Sequence, residues 1–201
     1  MKKYFFRTAL VFVLLAVHAL SYAQTPSAKD AKVKSSDDIV QPKDMPLVFR
    51  RTTLIVRDIE KSLLLYRDAI GMEVIYDNLI RRPHPEEDRE QVLRLVFLKA
   101  TSSFYGVLGL LEYDYENENK TDKPIRREGF TAQNVVLLFN SVNQEEQFKK
   151  IKEVPGVEIM GEPTLTKYPS YDGKSFTRVM VSKFYDPDGF IVEFNKLLDN
   201  L

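Results

Sequence analysis

The residues that could do chemistry are few, and their types exclude more than they assign. The 201-residue chain has no cysteine and only two histidines, His18 and His84. His18 sits in an apolar N-terminal run that reads as a cleavable leader, which leaves His84 alone in the mature chain. Zinc, iron and copper sites draw on imidazole and thiolate. A two-histidine, one-carboxylate iron centre therefore cannot be built from one copy of this chain. Carboxylates and amides remain, and oxygens of that kind suit magnesium, calcium or manganese. His84 lies in Arg81-Arg82-Pro83-His84-Pro85-Glu86-Glu87, where two prolines stiffen a loop. No serine or acid stands at a spacing that makes a triad with it, and neither Gly-x-Ser-x-Gly nor a phosphate-cradling glycine loop is present. It reads as a solvent-exposed loop histidine. Asp186-Pro187-Asp188-Gly189 is a tight turn by its chemistry, without the alternating acids of a calcium loop. Asn119-Lys120-Thr121 is a glycosylation sequon in an exposed stretch.

The same composition bounds the address. Lys2, Lys3 and Arg7 form a basic lead, Ala9–Leu20 is nearly unbroken in apolar residues, and Ser21-Tyr22-Ala23 closes the run with small residues where a signal peptidase reads. Residues 1–23 read as a secretory signal peptide cut after Ala23. The run is shorter than the roughly 20 apolar residues a membrane span needs. The expectation is an exported protein, periplasmic or secreted, with no membrane contact after cleavage. Losing Lys2, Lys3 and Arg7 from 29 basic residues leaves 26 against 29 acidic ones, a net charge of −3. That balance argues against nucleic acid as a partner. Without cysteine there is no lipid-bearing residue at the cut and no disulfide, although the compartment would allow one.

Positioning elements are legible along the rest of the chain. Residues 24–45, rich in Lys, Asp and Ser, read as a flexible tether. Phe49–Val56 has the Thr, Ile and Val content of a strand. Asp58 is placed to cap a helix, on which Ile59, Leu63, Tyr66 and Ile70 share one face. Gly71 stops it. Met72–Tyr76, Val92–Leu98 and Tyr105–Leu111 read as strands, with Arg81–Glu90 a charged loop. Tyr113–Gly129, acidic and then basic, reads as a linker. The order then repeats. A strand covers Asn134–Phe139, and a helix covers Val142–Val154 with Val142, Phe148, Ile151 and either Lys152 or Val154 near one face. Pro155-Gly156 ends it. Strands Val157–Met160, Thr177–Tyr185 and Ile191–Leu197 follow, with a Pro- and Tyr-containing stretch between the first two. Two successive β-α-β-β-β units, with a period of about 80 residues, give an α+β fold.

Two stretches carry a family resemblance. One runs from Thr52 to Ile75 through Asp58 and Gly71; the other is Phe184-Tyr185-Asp186-Pro187-Asp188-Gly189-Phe190-Ile191-Val192-Glu193-Phe194. Together they resemble the vicinal oxygen chelate superfamily, whose members include glyoxalase I, ring-cleaving dioxygenases and antibiotic-resistance proteins. The resemblance implies one domain over 46–198, with βαβββ modules near 47–115 and 130–198 forming a half-barrel. It places helices on one side and a ligand in the concavity on the other. Strand alternation then assigns the faces. Leu54, Val56, Val135, Leu137, Phe139, Val192 and Phe194 go to the helices. Arg51, Thr53, Ile55, Asn134, Val136, Leu138, Ile191, Glu193 and Asn195 go to the concavity.

For metal-using members the resemblance implies a histidine starting each module's first strand and a glutamate on each last strand. Carried over, the first histidine falls on Arg51, seven positions before Asp58, and the second on Asn134. One glutamate falls on Glu193; the other falls near Leu110 or Glu112, with both registers open. Both histidines are missing. Arg51 brings a permanent positive charge that would repel a cation and attract Glu193. The expectation is an Arg51–Glu193 ion pair, or an Arg51 guanidinium waiting for an anionic ligand, with no metal or other cofactor. A divalent cation on the oxygens of Glu193, Glu112 and Asn134 is the alternative.

The leading expectation is thus a binder of a small organic molecule, anionic or aromatic. Arg51 holds an anionic group, Asn134 and Glu193 fix orientation, and Glu112 and Tyr66 complete the lining; no residue is assigned a catalytic role. A metal-dependent lyase or dioxygenase with rearranged ligands is the second reading. A non-catalytic structural or interaction module is the third. The resemblance also implies a homodimer.

Overall fold

A computed structural model describes residues 44–119 and 123–199. The leader, the tether through residue 43, and Lys120 and Thr121 of the sequon lie outside the described residues. Strand β1 (Arg51–Ile55) alternates as its sequence requires, with Leu54 turned to the core and Thr53 and Ile55 away from it. The Asp58 side chain accepts from the Lys61 amide at 3.2 Å and opens α1 (Ile59–Leu63). The helix runs on into a π-wound stretch, Leu64–Ala69, in which the Ile70 amide reaches back to the Leu65 carbonyl. Ile59, Leu63, Tyr66 and Ile70 are all buried, as their spacing predicts. Gly71, at φ +91°, ends the helix in a conformation that disfavours other residues. Strands β2 (Glu73–Pro83), β3 (Glu90–Lys99) and β4 (Val107–Glu112) complete the first module.

The second module repeats the order with β5 (Val136–Asn140), α2 (Gln144–Lys152), β6 (Glu158–Pro169), β7 (Phe176–Tyr185) and β8 (Ile191–Leu197). Each module is one four-stranded sheet, β1-β4-β3-β2 and β5-β8-β7-β6. The last strand of each returns parallel to the first, and the other pairs are antiparallel. The architecture is the expected pair of βαβββ units.

The helix sides of both sheets share one hydrophobic core, with Leu54, Tyr66, Leu98 and Leu110 from the first module and Leu137, Phe148, Phe184 and Phe194 from the second. Three polar ties cross it. Tyr66 Oη donates to Asp186 Oδ2 at 2.8 Å, Gln147 Nε2 donates to the Ile70 carbonyl at 2.6 Å, and Arg57 pairs with Asp188 at 2.5 Å. Burial, then the Asp186 charge, pushes the Tyr66 phenol well above its ordinary value.

Several boundaries differ from the sequence expectation. β2 and β6 extend through Pro83 and Pro163, because both are edge strands whose outer amides have no partner to lose. The charged loop shrinks to residues 84–89. Val142 is 79% exposed ahead of α2, and Val154, not Lys152, joins the core, since Lys152 pairs with Glu162. Val135 is 53% exposed because it precedes β5. No helix among the described residues is long and apolar enough to cross a membrane.

Candidate ligand-binding face

The faces turned away from the helices hold the candidate site. In the first module the register lines up Arg51 with Val107 and Lys99, Thr53 with Gly109 and Phe97, and Ile55 with Leu111 and Leu95. Gly109 decides what this face looks like. A Cβ there would lie 2.7 Å from Thr53 Oγ1 and 3.2 Å from Arg51 Cδ. The space is shared by the Thr53 side chain and the stem of Arg51, whose guanidinium lies 4.0 Å over the Phe97 ring. Its Nε donates to Thr53 Oγ1 at 3.1 Å. Phe97 in turn stacks on Tyr76, with ring centroids 4.7 Å apart. Arg50 sits 5.0 Å over the Phe104 ring. Among the described residues neither Arg50 nor Arg51 meets a carboxylate. Partial burial and the neighbouring Arg50 charge lower the Arg51 pKa from its ordinary value. A cleft of about 230 Å³ opens where the first strands of the two modules face each other, lined by Arg51, Thr52, Val107, Val136, Leu138 and Met72 among others.

In the second module Leu138 aligns with Glu193 and Lys183, and Asn140 with Asn195 and Val181. Glu193, with its side chain 17% exposed, pairs with Lys183 at 3.4 Å. Lys183 also sits 4.9 Å over the Phe130 ring. The stretch read as a linker is therefore tied down as a strap. The Gly129 amide donates to Tyr185 Oη at 2.6 Å, Arg127 pairs with Glu158 at 3.1 Å, and Gly189 lies so close to the Arg126 carbonyl that a Cβ would stand 2.3 Å from it.

The structure brings together only part of the residue set expected from sequence. Arg51 and Glu193 both lie on the helix-distal faces, but each has its own partner, and the Arg51–Glu193 ion pair does not form. Asn134 does not stand on a strand; its Nδ2 donates to the Gly129 carbonyl and Thr131 Oγ1 at 2.7 and 3.0 Å, clipping the turn before β5. Glu112 and Tyr66 point to the opposite side. Glu112 is buried and its Oε2 accepts from the Ile59 amide at 2.8 Å, so it caps α1 instead of lining a concavity. Tyr66 is fully buried against Asp186. Leu110 is buried on the helix side too, so neither open register of the first module's glutamate lies on the helix-distal face. His84 is not exposed: its side chain is 10% accessible and Nδ1 accepts from the Glu86 and Glu87 amides at 3.2 and 3.0 Å.

Strand pairing supplies the registers that sequence could not. Thr53 pairs with Gly109 as Leu138 pairs with Glu193, so the first-module counterpart of Glu193 is Gly109. Arg51 stands seven residues before the α1 N-cap Asp58, and the residue seven before the α2 N-cap Asn143 is Val136. The four places implied for a metal are thus Arg51, Gly109, Val136 and Glu193. Only one of the four is a carboxylate, and it is paired with Lys183, while another carries a permanent positive charge; such a set does not fit a divalent cation. No cluster of three or more His, Cys, Asp or Glu among the described residues could hold a metal ion. Gly109, Tyr76 and Lys183 shape the faces without any sequence signal for a site. The only signal for Gly109 was a glycine interrupting an apolar strand.

Residues 48–194 match the family model described as Glyoxalase/Bleomycin resistance protein/Dioxygenase superfamily. A glyoxalase family protein from Bacillus cereus superposes with a TM-score of 0.57 at 11% identity, over 80% of this chain and 100% of that one. A glyoxalase family protein from Enterococcus faecalis gives 0.45 at 22% identity, over 73% and 95%. A genomically encoded fosfomycin resistance protein from Listeria monocytogenes, complexed with Mn(II) and sulfate, gives 0.43 at 16% identity, over 76% and 93%. At such identities the likeness concerns the fold alone. No curated protein sequence matches the chain.

Proposed function

The chain belongs to the Glyoxalase/Bleomycin resistance protein/Dioxygenase superfamily, and on that footing we propose that it is an exported binder of a small organic acid that works without a divalent metal. The observation that carries the reading is Arg51. Its guanidinium carbon lies 4.0 Å over the Phe97 ring, its stem runs past Gly109 where a Cβ would stand 3.2 Å from Cδ, and among the described residues its two Nη atoms have no acceptor. A planar fork fixed in this way matches a carboxylate or similar oxyanion in two parallel bonds. Exposed Ile55, Val136 and Leu138 offer an apolar bed for the rest of the molecule. Export rests on the leader read in residues 1–23.

Thermal melting of the full mature chain tests the binding. Millimolar benzoate is expected to raise the melting temperature, because a ligand of the native state stabilises it. Arg51→Ala should weaken that binding about 30-fold, the worth of a charged hydrogen-bonded pair, while Mn²⁺ leaves the melting temperature unchanged. A rise with Mn²⁺, or benzoate binding unaffected by Arg51→Ala, would overturn the reading.

A further inference from the structure

The cleft between the first strands of the two modules carries two positive charges and no negative one. Arg50, Arg51 and Thr52 line it from one side and Leu137, Leu138 and Phe139 from the other, and none of its lining residues is acidic. Successive residues of both strands reach it because β1 and β5 are edge strands of their sheets, and side chains of both faces meet at such a border. Each guanidinium has its own seat. Arg51 lies 4.0 Å over the Phe97 ring of β3, and Arg50 lies 5.0 Å over the ring of Phe104, in the loop ahead of β4. Arg50 is exposed, and among the described residues its side chain has neither a hydrogen bond nor a carboxylate partner. Other arginines here are matched, Arg57 with Asp188, Arg94 with Asp77 and Glu60, and Arg178 with Asp199. The two charges at the cleft are close enough to repel: after burial, the Arg50 charge is what lowers the Arg51 pKa. They are not superposed. The Arg50 carbonyl accepts from the Val107 amide at 3.4 Å, so the extended pairing with β4 runs through it, and neighbours in an extended chain send their side chains to opposite sides. The two forks stand apart, and one cleft reaches both.

We infer that the ligand is a two-headed acid, with one carboxylate on the Arg51 fork, a second on the Arg50 fork, and a short carbon spacer against the apolar border of β1 and β5. This rests on the organic-acid reading above and narrows it, with Arg50 as the residue that sets specificity. A monocarboxylate leaves one of two like charges uncompensated. A diacid removes that repulsion and adds a second charge-assisted pair. A phosphate ester carries two charges on one group and so serves one fork. The cleft volume of about 230 Å³ keeps the spacer small.

Benzoate, phthalate, isophthalate, terephthalate and phenyl phosphate, titrated calorimetrically into the full mature chain and its Arg50→Gln and Arg51→Ala variants, test the inference. One of the three diacids is expected to bind wild type about tenfold more tightly than benzoate, and Arg50→Gln should bring that ratio to about one. Arg51→Ala should weaken benzoate and diacid together. The preference should also shrink as salt is raised, since Arg50 is exposed. Benzoate binding with no gain for any diacid overturns the inference and leaves the organic-acid reading standing, and so does a gain that survives Arg50→Gln. Phenyl phosphate binding more tightly than every diacid marks a single-headed dianion and overturns the inference too. Failure of every acid to bind removes the organic-acid reading and the inference with it.

Discussion

The two modules are built to one plan and finished differently on the side away from the helices. In the first, a glycine on the last strand leaves room for an arginine to lie across the sheet, where among the described residues it bonds Thr53 and meets no carboxylate. In the second, a glutamate takes the glycine's place in the register, a lysine neutralises it, and the strap through Gly129 and Phe130 anchors to the same row. The lesson is that a duplicated scaffold can carry two different surface finishes. One sheet presents a cation, while the other is already partnered by its own chain.

The largest expected effect comes from forcing the first face to copy the second. Gly109→Glu pushes a Cβ into Thr53 and Arg51 and is expected to cost about 2–3 kcal/mol by overpacking, measured by denaturant unfolding. A variant as stable as wild type that also gains Mn²⁺ binding would show the two faces to be interchangeable after all. The seam between modules gives the next effect. Burial holds the Asp186 carboxyl at about 6, above the ordinary aspartate value. A raised pKa in the fold means protonation favours the native state. The contribution is fully present below about pH 4, the unfolded value, and is lost as pH rises through about 6. Compared with Asp186→Asn, wild type should lose on the order of 2 kcal/mol between pH 4 and pH 7, and parallel stability profiles would refute this. The smallest effect concerns the strap. Tyr185→Phe removes the acceptor of the Gly129 amide and should cost about 1 kcal/mol, with faster proteolytic cleavage around residues 126–133. Unaltered cleavage would show that the strap is held elsewhere.

Much of this plan was legible in the sequence, for local reasons. Ile59, Leu63, Tyr66 and Ile70 advertise a helix face, Asp58 its start and Gly71 its stop, and the last strand begins and ends at Ile191 and Leu197 as read. Alternation also puts Arg51 on the same side as Thr53. What the sequence hid is long-range. Nothing local shows that Glu112 reaches back to the Ile59 amide, or that Tyr66 meets Asp186, 120 residues away. The register of Asn134 is hidden because the second helix begins after Asn143, whose side chain makes no capping bond to mark the start. Gly109 shows in the sequence only as a break in an apolar strand. Its meaning lies in the arginine that fills the gap.

The proline in β6 has a consequence for the protein in crowded company. β6 is an outermost strand of its sheet, and its length would make it a ready template for a stray strand from another copy. Pro163 withholds an amide in mid-strand, and the ladder slips between Gly161 and Thr164 beside it. A growing fibril arriving at this border would meet a missing rung, and stacking could not propagate through it.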